Sequence, residues 1–147
     1  MFKVIKASYN DDNYHHTIQL RNNVLRSPLG LDIADDDLSD EINQIHFVAI
    51  ENNEVVGVVI LVPNYKDKVG KLRQMATSPQ VRGKGYGIAL VNALETYAAQ
   101  NGMTTIELNA RHYAVGFYEK IGYTICSDVF QEVGINHYTM QKEIITV

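Results

Sequence analysis

An α+β fold, a mixed sheet of six or seven strands flanked by helices, follows from three features of the sequence. Ahead of residue 78 lie three extended apolar stretches joined by short polar turns, HFVAIE, EVVGVVILVP and VGKLRQMAT, the pattern of an antiparallel meander. A glycine-rich turn, Arg82-Gly83-Lys84-Gly85-Tyr86-Gly87, then feeds a helix that begins at Ile88 and meets no breaker until Gly102. After that helix, Thr104 to Ala110 reads as a strand again. A helix between two strands of one sheet implies a right-handed crossover, so the strands ending at Thr77 and Ala110 run parallel as neighbours. One crossover after a meander is not the βαβαβ alternation of a dinucleotide-binding domain.

Taken in order, Phe2 to Ala7 alternates as an opening strand, and Asp11 or Asp12 can cap a helix carrying Tyr14, Ile18, Arg21 and Val24 or Leu25 until Pro28 stops it. SPLGLDIADDDLSDEINQ reads as a loop and a short acidic helix, and Asn52-Asn53 and Asn64 to Lys68 supply the turns of the meander. Leu90, Leu94, Tyr97 and Ala98 form the apolar face of the long helix, which Asn101-Gly102 closes. In the next strand Ile106, Leu108 and Ala110 alternate with Glu107 and Asn109. A second helix, from about His112 to Ile121, groups Ala114, Phe117, Tyr118 and Ile121 and ends at Gly122. The tail YTICSDVFQEVGINHYTMQKE offers two more strands joined by a loop.

At 147 residues the chain reads as a single domain, residues 1–147. With 46% hydrophobic and 20% charged residues it has the composition of a soluble globule, and no apolar run approaches the ~18 residues of a membrane span. MFKVIKASYNDD lacks the apolar centre of a signal peptide, and the lone Cys126 cannot form an internal disulfide, so a cytoplasmic location is expected. Cys126 itself is expected to be a small buried hydrophobe. A net charge of −4 without a basic, aromatic-laced stripe argues against nucleic acid, and His15, His16 and His46 show no ligand spacing, so no metal is expected. Beyond a monomer or homodimer nothing is indicated. The six acids between Asp32 and Glu41 read as a solvated helix that could also attract a cationic amine. Lys71, Arg73, Arg82, Lys84 and Arg111 cluster around the glycine turn and the following strand, a positive potential suited to a small anion.

The glycine turn is where chemistry concentrates. Glycines let successive backbone N–H groups converge, and the unpaired amides and dipole of the following helix add positive potential, which makes an anion site suited to pyrophosphate. Arg82 and Lys84 add full charges. The pattern is not G-x-G-x-x-G, because the sixth position from Gly83 is Ile88 and from Gly85 is Leu90, and no Gly-Lys-Ser/Thr occurs. A nucleotide-binding oxidoreductase is disfavoured accordingly. The remaining pattern, R-x-x-G-x-G on a strand-to-helix turn, resembles the acyl-CoA pyrophosphate loop of the GNAT N-acetyltransferase superfamily.

The later segment LNARHYAVGFYEKIGY is similar to the other signature of that superfamily, in which two parallel strands splay apart and pantetheine lies in the gap. The likeness runs from about Val48 to Lys142, and LRNNVLRSPLGL and FQEVGINH resemble one subgroup, with Asn136 where that subgroup has proline. The resemblance implies a splayed central parallel pair and acetyl-CoA as cosubstrate. It assigns main-chain groups of Met75, Ala76 and Thr77 to pantetheine, Arg82, Gly83, Lys84, Gly85, Tyr86, Gly87 and Ile88 to pyrophosphate, and Asn109, Ala114, Phe117 and Tyr118 to the opposite wall. It further implies acetyl transfer to a small-molecule or peptide amine, with Tyr118 as general acid toward the departing thiolate and Glu132 or His137 as candidate base. A non-catalytic acyl-CoA-binding or sensor module on the same fold is the competing reading.

Overall fold

In the computed structural model, which describes residues 2–144, strand β1 (Phe2–Ala7) forms one edge of the sheet and leads into helix α1 (Asp12–Arg21). Asp11 caps that helix, its Oδ1 accepting from the Tyr14 amide at 2.7 Å. The helix widens into a π turn at Asn22–Arg26 and closes through a 3₁₀ turn at Ser27–Leu29, where Pro28 and a left-handed Gly30 end it. Strands β2 (Ile45–Glu51), β3 (Glu54–Lys66) and β4 (Val69–Thr77) then form the expected meander. Asn52 and Asn53, both at positive φ (51° and 64°), make the first hairpin a two-residue turn of the kind asparagine tolerates. Helix α2 (Tyr86–Gln100) crosses over to β5 (Thr105–Arg111), which pairs parallel with β4.

The sheet has eight strands rather than six or seven, because the tail contributes three. After α3 (Val115–Lys120) come β6 (Thr124–Ile125), β7 (Phe130–Glu132) and β8 (Ile135–Glu143); β8 pairs with β5 and carries β6 and β7 on its outer edge. The extra strand is a tight β7–β8 hairpin through Val133 and Gly134, both at positive φ. Helix α2 begins at Tyr86, two positions before the sequence expectation, because Gly85 at φ 86° serves as the N-cap.

Strand β3 shows why the central sheet is apolar on both faces. Val58 and Ile60 join Val48 and Ala76 beneath the α1 side, with Leu20, Val24 and Leu25 packed on them. Val59 and Leu61 point the other way, into the core made with Leu90 and Leu94 of α2 and Tyr118 of α3. Across the β3–β4 ladder, Arg73 pairs with Ile60 and Ala76 with Val58, so Gln74 and Met75 together face Val59 alone. This is a β-bulge, with Gln74 at φ 57°. Parallel pairing of β4 with β5 runs from Val69–Thr105 to Leu72–Leu108 and stops one residue before the bulge region, although β4 continues to Thr77 and β5 to Arg111. The two strands therefore part company.

Two expectations need correction. The acidic segment is a solvated helix only in part: it forms 3₁₀ turns at Ile33–Asp35 and Ser39–Asn43 with Asp32, Asp35, Asp37 and Asp40 exposed, but Asp36 pairs with Arg26 and Glu41 is buried against Arg21. Cys126 is exposed rather than buried, with its Sγ 3.4 Å from the Thr139 carbonyl. Burial and, second, Glu107 raise its thiol pKa, so it carries no sign of activation. Among the described residues no helix is long and apolar enough to cross a membrane.

Candidate active site

Where β4 and β5 separate, a groove of about 1280 Å³ opens between Met75, Ala76 and Thr77 on one strand and Asn109, Ala110 and Arg111 on the other. Backbone groups released from cross-strand pairing are available there to an extended, amide-bearing ligand, in the manner of an added strand.

One end of the groove is the glycine turn. Gly83 and Gly85 adopt φ of 81° and 86°, a conformation that favours glycine. The first backbone bond into α2 is donated by Ala89 to Gly85, and among the described residues the amides of Gly83, Gly85, Tyr86, Gly87 and Ile88 have no hydrogen-bond acceptor. No side chain caps the helix. The turn is thus a set of unpaired donors at a helix N-terminus. Arg82 lies exposed on the groove, whereas Lys84 is exposed but does not line it. Tyr86 faces the groove only in part: its ring stacks on Phe2 at 3.9 Å between centroids and its hydroxyl donates to Glu51. Gly87 matters for a different reason, since a Cβ there would lie 3.2 Å from Phe117 Cζ. Absence of a side chain lets α2 approach α3 and brings the turn beside Ala114 and Phe117.

Tyr118, on α3, is 5% exposed and packs edge-on to Phe117 and Tyr123. Its hydroxyl has no hydrogen-bond partner among the described residues, yet the buried side-chain polar atom without a partner is His46 Nδ1. The phenol oxygen is therefore open to the groove that Tyr118 lines. Burial raises its pKa well above the usual tyrosine value, so it holds its proton at neutral pH.

His137 and Glu132 reach the same groove from the β7–β8 hairpin. His137 is 3% exposed, and its Nδ1 lies 2.8 Å from the Ile135 carbonyl oxygen. A carbonyl only accepts, so Nδ1 carries a proton, and in the neutral ring the lone pair is on Nε2. Glu132 is exposed, 3.5 Å from Asn109 Nδ2, and the Asn109 Oδ1 accepts from Thr139 Oγ1 at 2.9 Å. Asn109 thus spans β5, β7 and β8 as well as lining the gap. All the cofactor-binding and catalytic candidates from the sequence line the groove except Lys84.

The flanking cations mostly have other partners. Arg73 donates to Glu41 and Gln44, Arg111 to the Leu25 carbonyl and the Tyr113 hydroxyl, and Lys71 lies 4.7 Å from the Tyr65 ring centroid. Sequence reasoning also missed Gln74 and its support. Arg21, 0% exposed, grips Glu41 through both terminal nitrogens at 2.9 and 2.6 Å, Tyr14 Oη donates to the same carboxylate at 2.7 Å, and Arg21 Nε donates to Gln74 Oε1 at 3.1 Å. Arg21 on the apolar face of a helix was the available signal, because a charge at a core-facing position implies a buried partner.

Comparisons with known proteins agree on one family. The sequence pattern of the acetyltransferase (GNAT) domain matches residues 26–144. The chain is 29% identical over 145 residues to YyaT of Bacillus subtilis (strain 168), covering 95% of each. The crystal structure of a Lactobacillus plantarum protein assigned as an N-acetyltransferase superposes with a TM-score of 0.87 at 26% identity, over 98% of this chain and 99% of that one. An aminoglycoside 6'-N-acetyltransferase complexed with coenzyme A shares the fold, with a TM-score of 0.76 at 22% identity over 96% and 97% of the two chains. Sequence pattern, splayed strands and fold converge: the chain belongs to the GNAT acetyltransferase family.

Proposed function

We propose that residues 1–147 act as one acyltransferase domain that moves the acetyl group of acetyl-CoA to an amine, on a small molecule or a peptide. The observation that carries this reading is the set of amides at the glycine turn that are unpaired among the described residues, opening onto a strand gap lined by Tyr118, whose hydroxyl likewise has no partner among them. Pyrophosphate would sit on the amides of Gly83 to Ile88 with Arg82 alongside, and pantetheine would run between Met75–Thr77 and Asn109, against Ala114 and Phe117. Lys84, exposed beside the turn, adds positive potential.

His137 Nε2, with its free lone pair inside the groove, is the better base for the acceptor ammonium; Glu132, exposed at the mouth, suits attraction of the cation. The neutral amine attacks the thioester carbonyl, whose developing negative charge backbone N–H groups near Met75 stabilise. A C–N bond forms, the C–S bond breaks, and the thiolate takes its proton from Tyr118. Because burial makes that phenol hold its proton tightly, it acts first as a hydrogen-bond donor to the sulfur and transfers the proton only as the sulfur leaves. The lone Cys126, which has no thiol partner, fits a reducing cytoplasm.

Acetyl-CoA is expected to raise the Tm, since a ligand selective for the folded state contributes about 2.7 kcal/mol at a hundred times its Kd. A shift with NAD and none with millimolar acetyl-CoA overturns the reading. Gly85→Val tests the pyrophosphate position. Nothing lies within 4 Å of a Cβ built at Gly85, so the core survives, but φ 86° is strained for a β-branched residue. Affinity for CoA is expected to fall about tenfold or more in a protein that remains folded; unchanged affinity would mean that the pyrophosphate binds elsewhere.

A further inference from the structure

The β4 bulge is held by side chains. In a regular strand Arg73 and Gln74 would face opposite sides of the sheet. Here the bulge brings both toward one buried hub: Arg73 Nη1 donates to Glu41 Oε2 at 2.9 Å, and Gln74 Oε1 accepts from Arg21 Nε at 3.1 Å. Tyr14, Arg21 and Arg73 together saturate the Glu41 carboxylate, joining α1, the Ser39–Asn43 turn and β4. Well-packed apolar residues usually serve stability as well as a buried ion pair does, so the hub's value lies in geometry. The backbone points the same way. Gln74 sits at φ 57°, where glycine is the residue of least strain. A glutamine there is explained by what its side chain grips.

Resting on the acyl-transfer reading above, we propose that Gln74 is a positioning residue, which through Arg21 and Glu41 fixes the bulge and so aims the Met75 amide at the thioester carbonyl. It contacts no reacting atom. Its contribution is to hold the strand at the point where β4 leaves β5 and the groove begins.

Gln74→Gly separates backbone from side chain. It relieves the left-handed strain but leaves the buried Arg21 Nε without its acceptor, so the two effects on Tm oppose each other and the Kd for acetyl-CoA should remain within about threefold. If the grip aims the amide, kcat falls about 10- to 100-fold, the scale of a misplacement near 1 Å. Gln74→Glu keeps the reach and an acceptor oxygen for Arg21, and its kcat should stay within about threefold of wild type. Wild-type kcat retained by Gln74→Gly, or equal losses in Gly and Glu variants, overturns the proposal. Amide hydrogen exchange without any acetyl donor supplies a reading independent of turnover. Protection factors at Ala76, which pairs with Val58 of β3, should drop about tenfold in Gln74→Gly and stay unchanged in α2; equal protection at Ala76 in both proteins also overturns it. A wild-type enzyme that releases no CoA with any amine would refute the acyl-transfer reading and leave the exchange result to decide the role of Gln74.

Discussion

Tyr118→Phe is expected to lower kcat by about 10²- to 10⁴-fold while leaving the affinity for acetyl-CoA nearly unchanged. Phenylalanine keeps the ring that packs edge-on to Phe117 and Tyr123. What disappears is an oxygen that bonds to nothing else among the described residues and opens on the groove, so the fold does not depend on it and the ground-state complex loses only a weak hydrogen bond to a thioester sulfur. The loss should appear equally in kcat and kcat/KM, the pattern of an interaction made mainly in the transition state. Slow product release would hide part of the effect, so single-turnover rates are the measurement to compare. A variant with wild-type single-turnover rates would make Tyr118 a packing residue.

The second large effect is on stability. Arg21→Met leaves the Glu41 carboxylate buried with its main partner gone, and breaking a buried pair from one side typically costs about 3–5 kcal/mol. For a chain of this size that corresponds to roughly 10–15 °C in Tm. Glu41 also sets the pH response. Burial alone would raise its pKa, but hydrogen bonds and charge from Arg21, then bonds from Arg73 and Tyr14, outweigh burial and hold it down to about 2, against 4.5 for a free side chain. The unfolded chain therefore takes up that proton first, and the pair's stabilisation, present above pH 4.5, is lost as pH falls toward 2. His46 loses stability earlier: burial depresses its pKa below 6.5, so acidification below pH 6.5 already favours the unfolded state. In urea titrations the gap between wild type and Arg21→Met should be large at pH 7 and markedly smaller at pH 3, where the variant's Glu41, no longer held down by a guanidinium, is protonated and the unfolded chains have taken up the same proton. An equal gap at both pH values would trace the loss to packing and not to charge.

What could be read directly from the sequence was local. Asn52-Asn53 and Asn101-Gly102 announce their turns because asparagine and glycine tolerate the backbone required. The glycine turn and its helix form one continuous segment, so their spacing survives into the structure, and Ile106, Leu108 and Ala110 alternate visibly. The features that escaped depend on distant partners or on residues that contradict local preference. Nothing in LRQMAT marks Gln74 as left-handed, and the hairpin at Val133-Gly134 places a β-branched residue where asparagine would have advertised it. Glu41 looked solvated among five other acids because its partners lie 20 and 32 residues away in Arg21 and Arg73. The same long-range pairing engages Arg73, and Arg111 donates to the Leu25 carbonyl, 86 residues distant, although both still line the groove. Lys84 sits in the turn between Gly83 and Gly85, which line the groove, while its own side chain is exposed and does not line it.

The most direct test of the central claim is release of free CoA from acetyl-CoA across a panel of small-molecule and peptide amines, with the acetylated product identified by mass. The account predicts acceptor-dependent release that Tyr118→Phe suppresses and that rises with pH as the acceptor ammonium loses its proton. Release that is independent of any amine and insensitive to Tyr118→Phe, or no release from a protein that binds acetyl-CoA well, would contradict it.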